Sequence, residues 1–230
     1  MKKKYTKNDK LTDLIHDNYS ILLVMSRFGI RLGVGERSIR EVCQEHGVDA
    51  FTFLTIVNFL VTEEPVPETD LKKLSIETLI SYLHLAHEYF LSFKLPQIKV
   101  KLKEAISDCP EEDVKFVILN FFDEYVKEVG KHMTYEEKKV FPYVRNLLAG
   151  KTDSNYKISI FAKQHDDIEM KITDLKNILI KYYPGEGGNI LNSVLFDIFA
   201  TEQDLAAHNS VEDHIFVPAI KLLEQKTGTR

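Results

Sequence analysis

The strongest constraint in this 230-residue chain is an eleven-residue pattern that occurs twice. In the first copy His132 is followed four residues later by Glu136, with Glu137 beside it, and Pro142 stands ten residues after the histidine. The second copy places His208, Glu212, Asp213 and Pro218 at the same offsets. Both copies lie in segments of helical periodicity, where residues four apart share a face and stand about one turn apart. Each copy therefore sets an imidazole beside a carboxylate. Two such helices facing each other bring two His and two Glu into one small volume, which suits a pair of divalent metals. One His-x-x-x-Glu alone would read as an ordinary helical pair stabilising by a few tenths of a kcal/mol. The repetition, with a common proline offset, is what points to metal.

The rest of the chain agrees with long helices. Glycine and proline are sparse and clustered (10 and 7 residues), which disfavours many short strands. The formal charge of −5 argues against nonspecific nucleic-acid binding, which needs a basic face. Cys43 and Cys109 make neither a disulfide framework nor a Cys-x-x-Cys pair, so a reducing cytoplasm is the expected setting. The basic start, Met1 to Asn8, is not followed by a long apolar stretch, so no signal peptide is read there. No apolar run approaches the length of a membrane span.

Residues 1–66 are expected to form a small helical domain. Ser38-Ile39-Arg40-Glu41 predicts a capping box, and Asp49 predicts the cap of the next helix. Cys43 is expected to be buried, and His16 and His46 to be ordinary surface or helix-end residues. A short acidic, proline-bearing linker at Glu63–Glu68 marks the boundary. Residues 67–230 then predict four long helices. The first begins at Ser75 and reaches about Ser107 with a kink or break at Pro96. The second is capped by Asp108 and ends by Gly150. The third follows Ser154 and ends at Pro184, and the fourth runs from Asn189 to the late 220s. Short turns between long helices imply an all-α, up-down-up-down bundle.

Counting along the chain puts one histidine of each helix near a common level. His87 and His132 lie 21 and 24 residues from the turn at Asp108, and His165 and His208 lie 21 and 22 from Glu186. The connection between His132 and His165 is less even, so the second helix stops early or part of 143–156 is irregular. The expected ligands are His87, His132 with Glu136, His165, and His208 with Glu212. Four imidazoles and two carboxylates without thiolate fit iron, manganese or zinc, and they outnumber the four ligands of a closed zinc site. Two metals bridged by the glutamates, with oxide or water completing each, satisfy that set. His84, three residues before His87, is a secondary candidate.

The motifs His132-Met133-x-x-Glu136-Glu137-x-x-x-Phe141-Pro142, Gln164-His165-Asp166 and His208-x-x-x-Glu212-x-x-x-Phe216-Val217-Pro218 resemble those of hemerythrin-like di-iron proteins. The similarity covers about residues 74–225 and is greatest to the repair-of-iron-centres branch. It implies an oxo- or hydroxo-bridged pair of iron ions in a four-helix bundle, with manganese or zinc as substitutes. Oxygen carriers of the family have a second histidine one turn after the third-helix one. Here that place holds Glu169, a secondary ligand candidate, which favours redox chemistry or labile iron over reversible oxygen carriage. The repair branch also has a Cys-Cys pair in its N-terminal domain, where Gly33 and Val34 stand here.

The resemblance implies iron donation to damaged iron–sulfur proteins, or reaction of the iron pair with nitric oxide or peroxide. The alternative is a module that binds or senses oxygen or nitric oxide and signals through its N-terminal domain. Expected partners are a small diatomic or peroxide, damaged iron–sulfur proteins and a second copy in a homodimer, with neither nucleic acid nor membrane.

Overall fold

A computed structural model describes residues 3–151, 156–163 and 166–228, with the backbone alone for 162, 163, 166–170 and 228. The described residues are all-α apart from an isolated bridge between Lys10 and Ser38. Two compact units form, one within residues 1–86, 141–160 and 208–230, the other within 87–140 and 161–207.

The first unit begins with four short helices, α1 (Leu11–Asp17), α2 (Ile21–Arg27), α3 (Ile39–Glu45) and α4 (Ala50–Thr62). The capping box at α3 is present in full: Glu41 N–H donates to the Ser38 hydroxyl, and the Glu41 carboxylate accepts from Ser38 N–H. Asp49 caps α4 by accepting from Thr52 N–H at 2.8 Å. Replacing Ser38 by Ala is therefore expected to cost about 1 kcal/mol in urea unfolding, with the m-value unchanged. Asn58 holds the N-terminal segment by pairing with both backbone groups of Tyr5. Phe28 packs its ring against Phe53 and Tyr82, with centroids 5.2 and 4.9 Å away. Burial pushes the Cys43 thiol up to about 12, so it sits as an inert apolar group. Val34 is buried too, after Gly33 in a left-handed conformation (φ +89°).

Next come α5 (Glu68–Leu71) and α6 (Ile76–Glu88), whose first turn is tied by Thr78 N–H to the Ser75 hydroxyl at 3.3 Å. A π turn, Tyr89–Lys94, leads into α7 (Leu95–Ala105). The second long stretch is α8 (Glu112–Tyr135), a π turn Glu136–Val140 and α9 (Phe141–Leu148). The third is the 3-10 turn Ile158–Lys163 followed by α10 (Asp166–Lys181). The fourth is α11 (Asn189–Val211), a π turn Glu212–Phe216 and α12 (Val217–Gly228). Asp108 does not cap α8. Glu111 occupies that position without a side-chain bond, and Asp108 accepts from the Tyr183 hydroxyl at 3.1 Å. The second stretch stops at Leu148, two residues before Gly150.

Within the second unit the helices close a ring. Lys99 pairs with Asp123 across α7 and α8, and Lys171 lies 3.9 and 3.8 Å from Glu124 and Glu128 across α10 and α8. Lys176 pairs with Glu202 across α10 and α11, and Asp197 of α11 accepts from Lys94 and Lys101 at 2.6 and 2.7 Å. Each pair is worth little alone. Their order around the ring is that of an up-down-up-down bundle. Burial opposes ionisation of Asp197, but the two lysines hold its carboxyl below the ordinary range. A folded value below the unfolded one stabilises above about pH 4, and the gain is lost as pH falls through the folded value. Asp197→Asn should therefore cost about 1 kcal/mol at pH 7 and nothing in strong acid, read from urea midpoints across pH. Among the described residues no helix is long and apolar enough to cross a membrane.

Candidate metal centre

The core stripes of the long helices run directly into the candidate ligands. On α8 the buried series is Ile118, Phe122, Tyr125, Val129, His132 and then Glu136, in alternating steps of three and four. On α11 it is Leu191, Val194, Ile198, Thr201, Leu205, His208 and then Glu212. On α6 it is Ile80, Leu83 and His87, with Phe90 following in the π turn. The spacing that buries apolar side chains therefore also buries the polar ones. Glu136, His208 and Glu212 are 0% exposed, and His87 and His132 only 3% and 7%. Carboxylates taken so far out of water need a compensating charge.

One ligand atom from each of His87, Glu136, His208 and Glu212 lies within 4.8 Å of all the others. Glu136 is the most informative of the four. Its Oε2 lies 2.9 Å from His87 Nε2, and its Oε1 lies 2.8 Å from His132 Nε2. Both oxygens are fully buried. Buried imidazole nitrogens and carboxylate oxygens brought this close could hold a metal ion between them. His208 Nε2 stands 3.1 Å from Glu212 Oε1 one turn on. The donor set of imidazole and carboxylate without sulfur fits iron, manganese or zinc.

Aromatic rings lie near or within the ligand-bearing motifs. Phe161 stacks on the His132 ring, with centroids 5.8 Å apart and planes 12° from parallel. Phe141 and Phe216 meet edge to face at 6.0 Å. Burial, reinforced by the Glu202 carboxylate, raises the Tyr125 phenol well above its ordinary range and keeps it protonated.

Of the other candidates, His84 is exposed on the same helix that buries His87. His165 lies outside the described residues, and Glu169 lies in α10 with its side chain outside them. His214 is exposed, its Nδ1 3.0 Å from the Ser210 carbonyl. In sequence Glu137 is only an acidic neighbour of Glu136. Its Oε1 lies 2.8 Å from His87 Nδ1, fifty residues away. The doubled acidic pair in each motif was the only sequence signal for it.

The stretches that carry these buried ligands each hold a π turn, which starts at the ligand or two residues after it. The three π turns lead to Leu95-Pro96, Phe141-Pro142 and Val217-Pro218. A proline ring collides with the carbonyl four residues back in a regular α-helix, and the wider π turn relieves that collision. The prolines thus neither end nor break these helices.

No curated protein matches the chain. Residues 78–220, more than half of the chain, match the family model described as the hemerythrin HHE cation binding domain.

Proposed function

The chain belongs to the hemerythrin HHE cation-binding family, and from that premise we propose a non-haem di-iron protein of the iron–sulfur repair or nitrosative and oxidative stress type. The observation that carries the reading is the buried Glu136 carboxylate, whose oxygens lie 2.9 and 2.8 Å from imidazole nitrogens of His87 and His132. His87, His132, Glu136, His165, His208 and Glu212 would hold the iron. Bound iron would supply one-electron chemistry toward nitric oxide or peroxide, or would itself be the cargo given to a damaged cluster. The chain's own residues do the rest. His132 is held flat by Phe161, the carboxylates offset the cationic charge, and the apolar stripes keep bulk water from the ligands. The division into an N-terminal domain of 1–66 and a metal-carrying domain of 67–230 is part of the same proposal.

Anaerobic loading with ferrous iron should leave about two ions per chain, the stoichiometry of a carboxylate-bridged bundle site. Fewer than about one would overturn the di-metal reading. Two ions that neither react with nitric oxide nor pass to an apo acceptor would overturn the repair reading.

A second reading, sensing, is favoured by one contact. His214, two residues after Glu212, places its ring 5.6 Å from Phe59 on α4. That contact ties a π turn beginning at a candidate ligand to the short N-terminal helices. A reversible oxygen adduct in the visible spectrum supports sensing, and rapid irreversible oxidation supports the first reading.

A further inference from the structure

Glu136 and Glu137 are adjacent in sequence, yet both reach the same imidazole. Glu136 Oε2 lies 2.9 Å from His87 Nε2, and Glu137 Oε1 lies 2.8 Å from His87 Nδ1. In a regular α-helix successive side chains diverge by about 100°. The two glutamates open the π turn Glu136–Val140, which winds more slowly and so narrows the angle between them. The π turn is thus what lets two consecutive carboxylates grip the two nitrogens of one ring. The contact at Nδ1 differs from the one at Nε2. It meets the criteria of a hydrogen bond, and Glu137 is partly exposed (32%) whereas Glu136 is sealed.

We propose that Glu137 is the positioning residue for His87: it accepts the Nδ1 proton and leaves the Nε2 lone pair directed at the buried cluster. A carboxylate behind a ligating imidazole fixes the ring's tautomer and orientation and makes the other nitrogen a stronger donor. Glu137 is not one of the four residues whose ligand atoms converge, so it acts through His87. Its partial exposure puts the negative charge where water solvates it. The hydrogen bond to the ring therefore does not add a third sealed carboxylate to a site that already holds two. The second motif has Asp213 at the corresponding place, one methylene shorter.

The proposal rests on the metal reading only for its second measurement. The first is made on metal-free protein. Long-range proton–nitrogen spectra of the histidine rings should show His87, assigned by its loss in His87→Gln, as the Nδ1–H tautomer. Glu137→Ala should move it to the Nε2–H form that histidine otherwise favours, and Glu137→Gln, whose amide oxygen still accepts, should restore Nδ1–H. A His87 tautomer that Glu137→Ala leaves unchanged overturns the proposal. The second measurement is release of ferrous iron to a chelator from the full chain. It should be about 10–100-fold faster in Glu137→Ala, with Glu137→Gln close to the parent. Equal rates in the parent and Glu137→Ala also overturn it. A parent that binds no iron sinks the di-metal reading instead, while the tautomer measurement still decides the role of Glu137. Should Glu137→Ala not fold, Glu137→Met keeps the length and removes the acceptor.

Discussion

Glu136→Ala is expected to abolish metal binding. Anaerobically loaded and desalted, the variant should retain under about a tenth of the parent's iron, because outer-shell losses alone cost about 10–100-fold in affinity and Glu136 is an inner group. The expectation follows from its place in the site. Its two oxygens approach two different histidines, at 2.9 and 2.8 Å, from a side chain that water does not reach. Removing it takes one charge and two oxygens from a single small volume, and no other carboxylate on that helix is sealed. Glu136→Gln should also lose most of the iron, since the amide keeps the shape and drops the charge. The exposed Glu77→Ala should bind iron like the parent, as Glu77 faces Arg145 at the surface, 3.8 Å away. Retained iron in Glu136→Ala, measured by elemental analysis, would remove Glu136 from the site and with it the argument from its crowded oxygens.

The helices and the stripes that carry the site were legible because both follow one rule. A period of three and four residues places Ile118 to Glu136 on one line, and the same period separates His from Glu in each motif. The Ser38 capping box was legible for the same reason: its chemistry lies within four consecutive residues. What stayed hidden depends on single-residue changes of winding or on distant partners. A π turn adds one residue to a turn and leaves no composition signal, so Pro96 reads as a kink or break. Asp108 had the right chemistry for a cap, but Tyr183, far along the chain, takes its carboxylate. The bond from Glu137 to His87 spans two helices and needs the π turn as well, so no local pattern reveals it. Spacing along the chain selects His165 but carries no information about where its ring points.

Glu212→Met should raise the stability of the metal-free protein while costing it the metal. Glu212 and Glu136 offer oxygens within 4.8 Å of each other, and both are 0% exposed. At that separation two full negative charges repel by about 3 kcal/mol at an effective dielectric of ~20, before any cost of leaving water is added. A methionine of similar length removes both costs and keeps the packing against the apolar stripe. Exchanges of buried charged groups for apolar ones of matched volume typically gain about 1–4 kcal/mol, so urea unfolding in chelator should shift upward by that order. Iron reverses the ranking. A ligand at roughly a thousandfold its dissociation constant stabilises by about 4 kcal/mol, and only the parent retains the full ligand set to collect it. Anaerobic unfolding curves of the two proteins should therefore cross between chelator and iron. A variant that is less stable than the parent in chelator would mean that the carboxylates are already neutralised without metal, by protons held between them and their histidines. The cluster would then be a satisfied polar core and not a cation site held under tension.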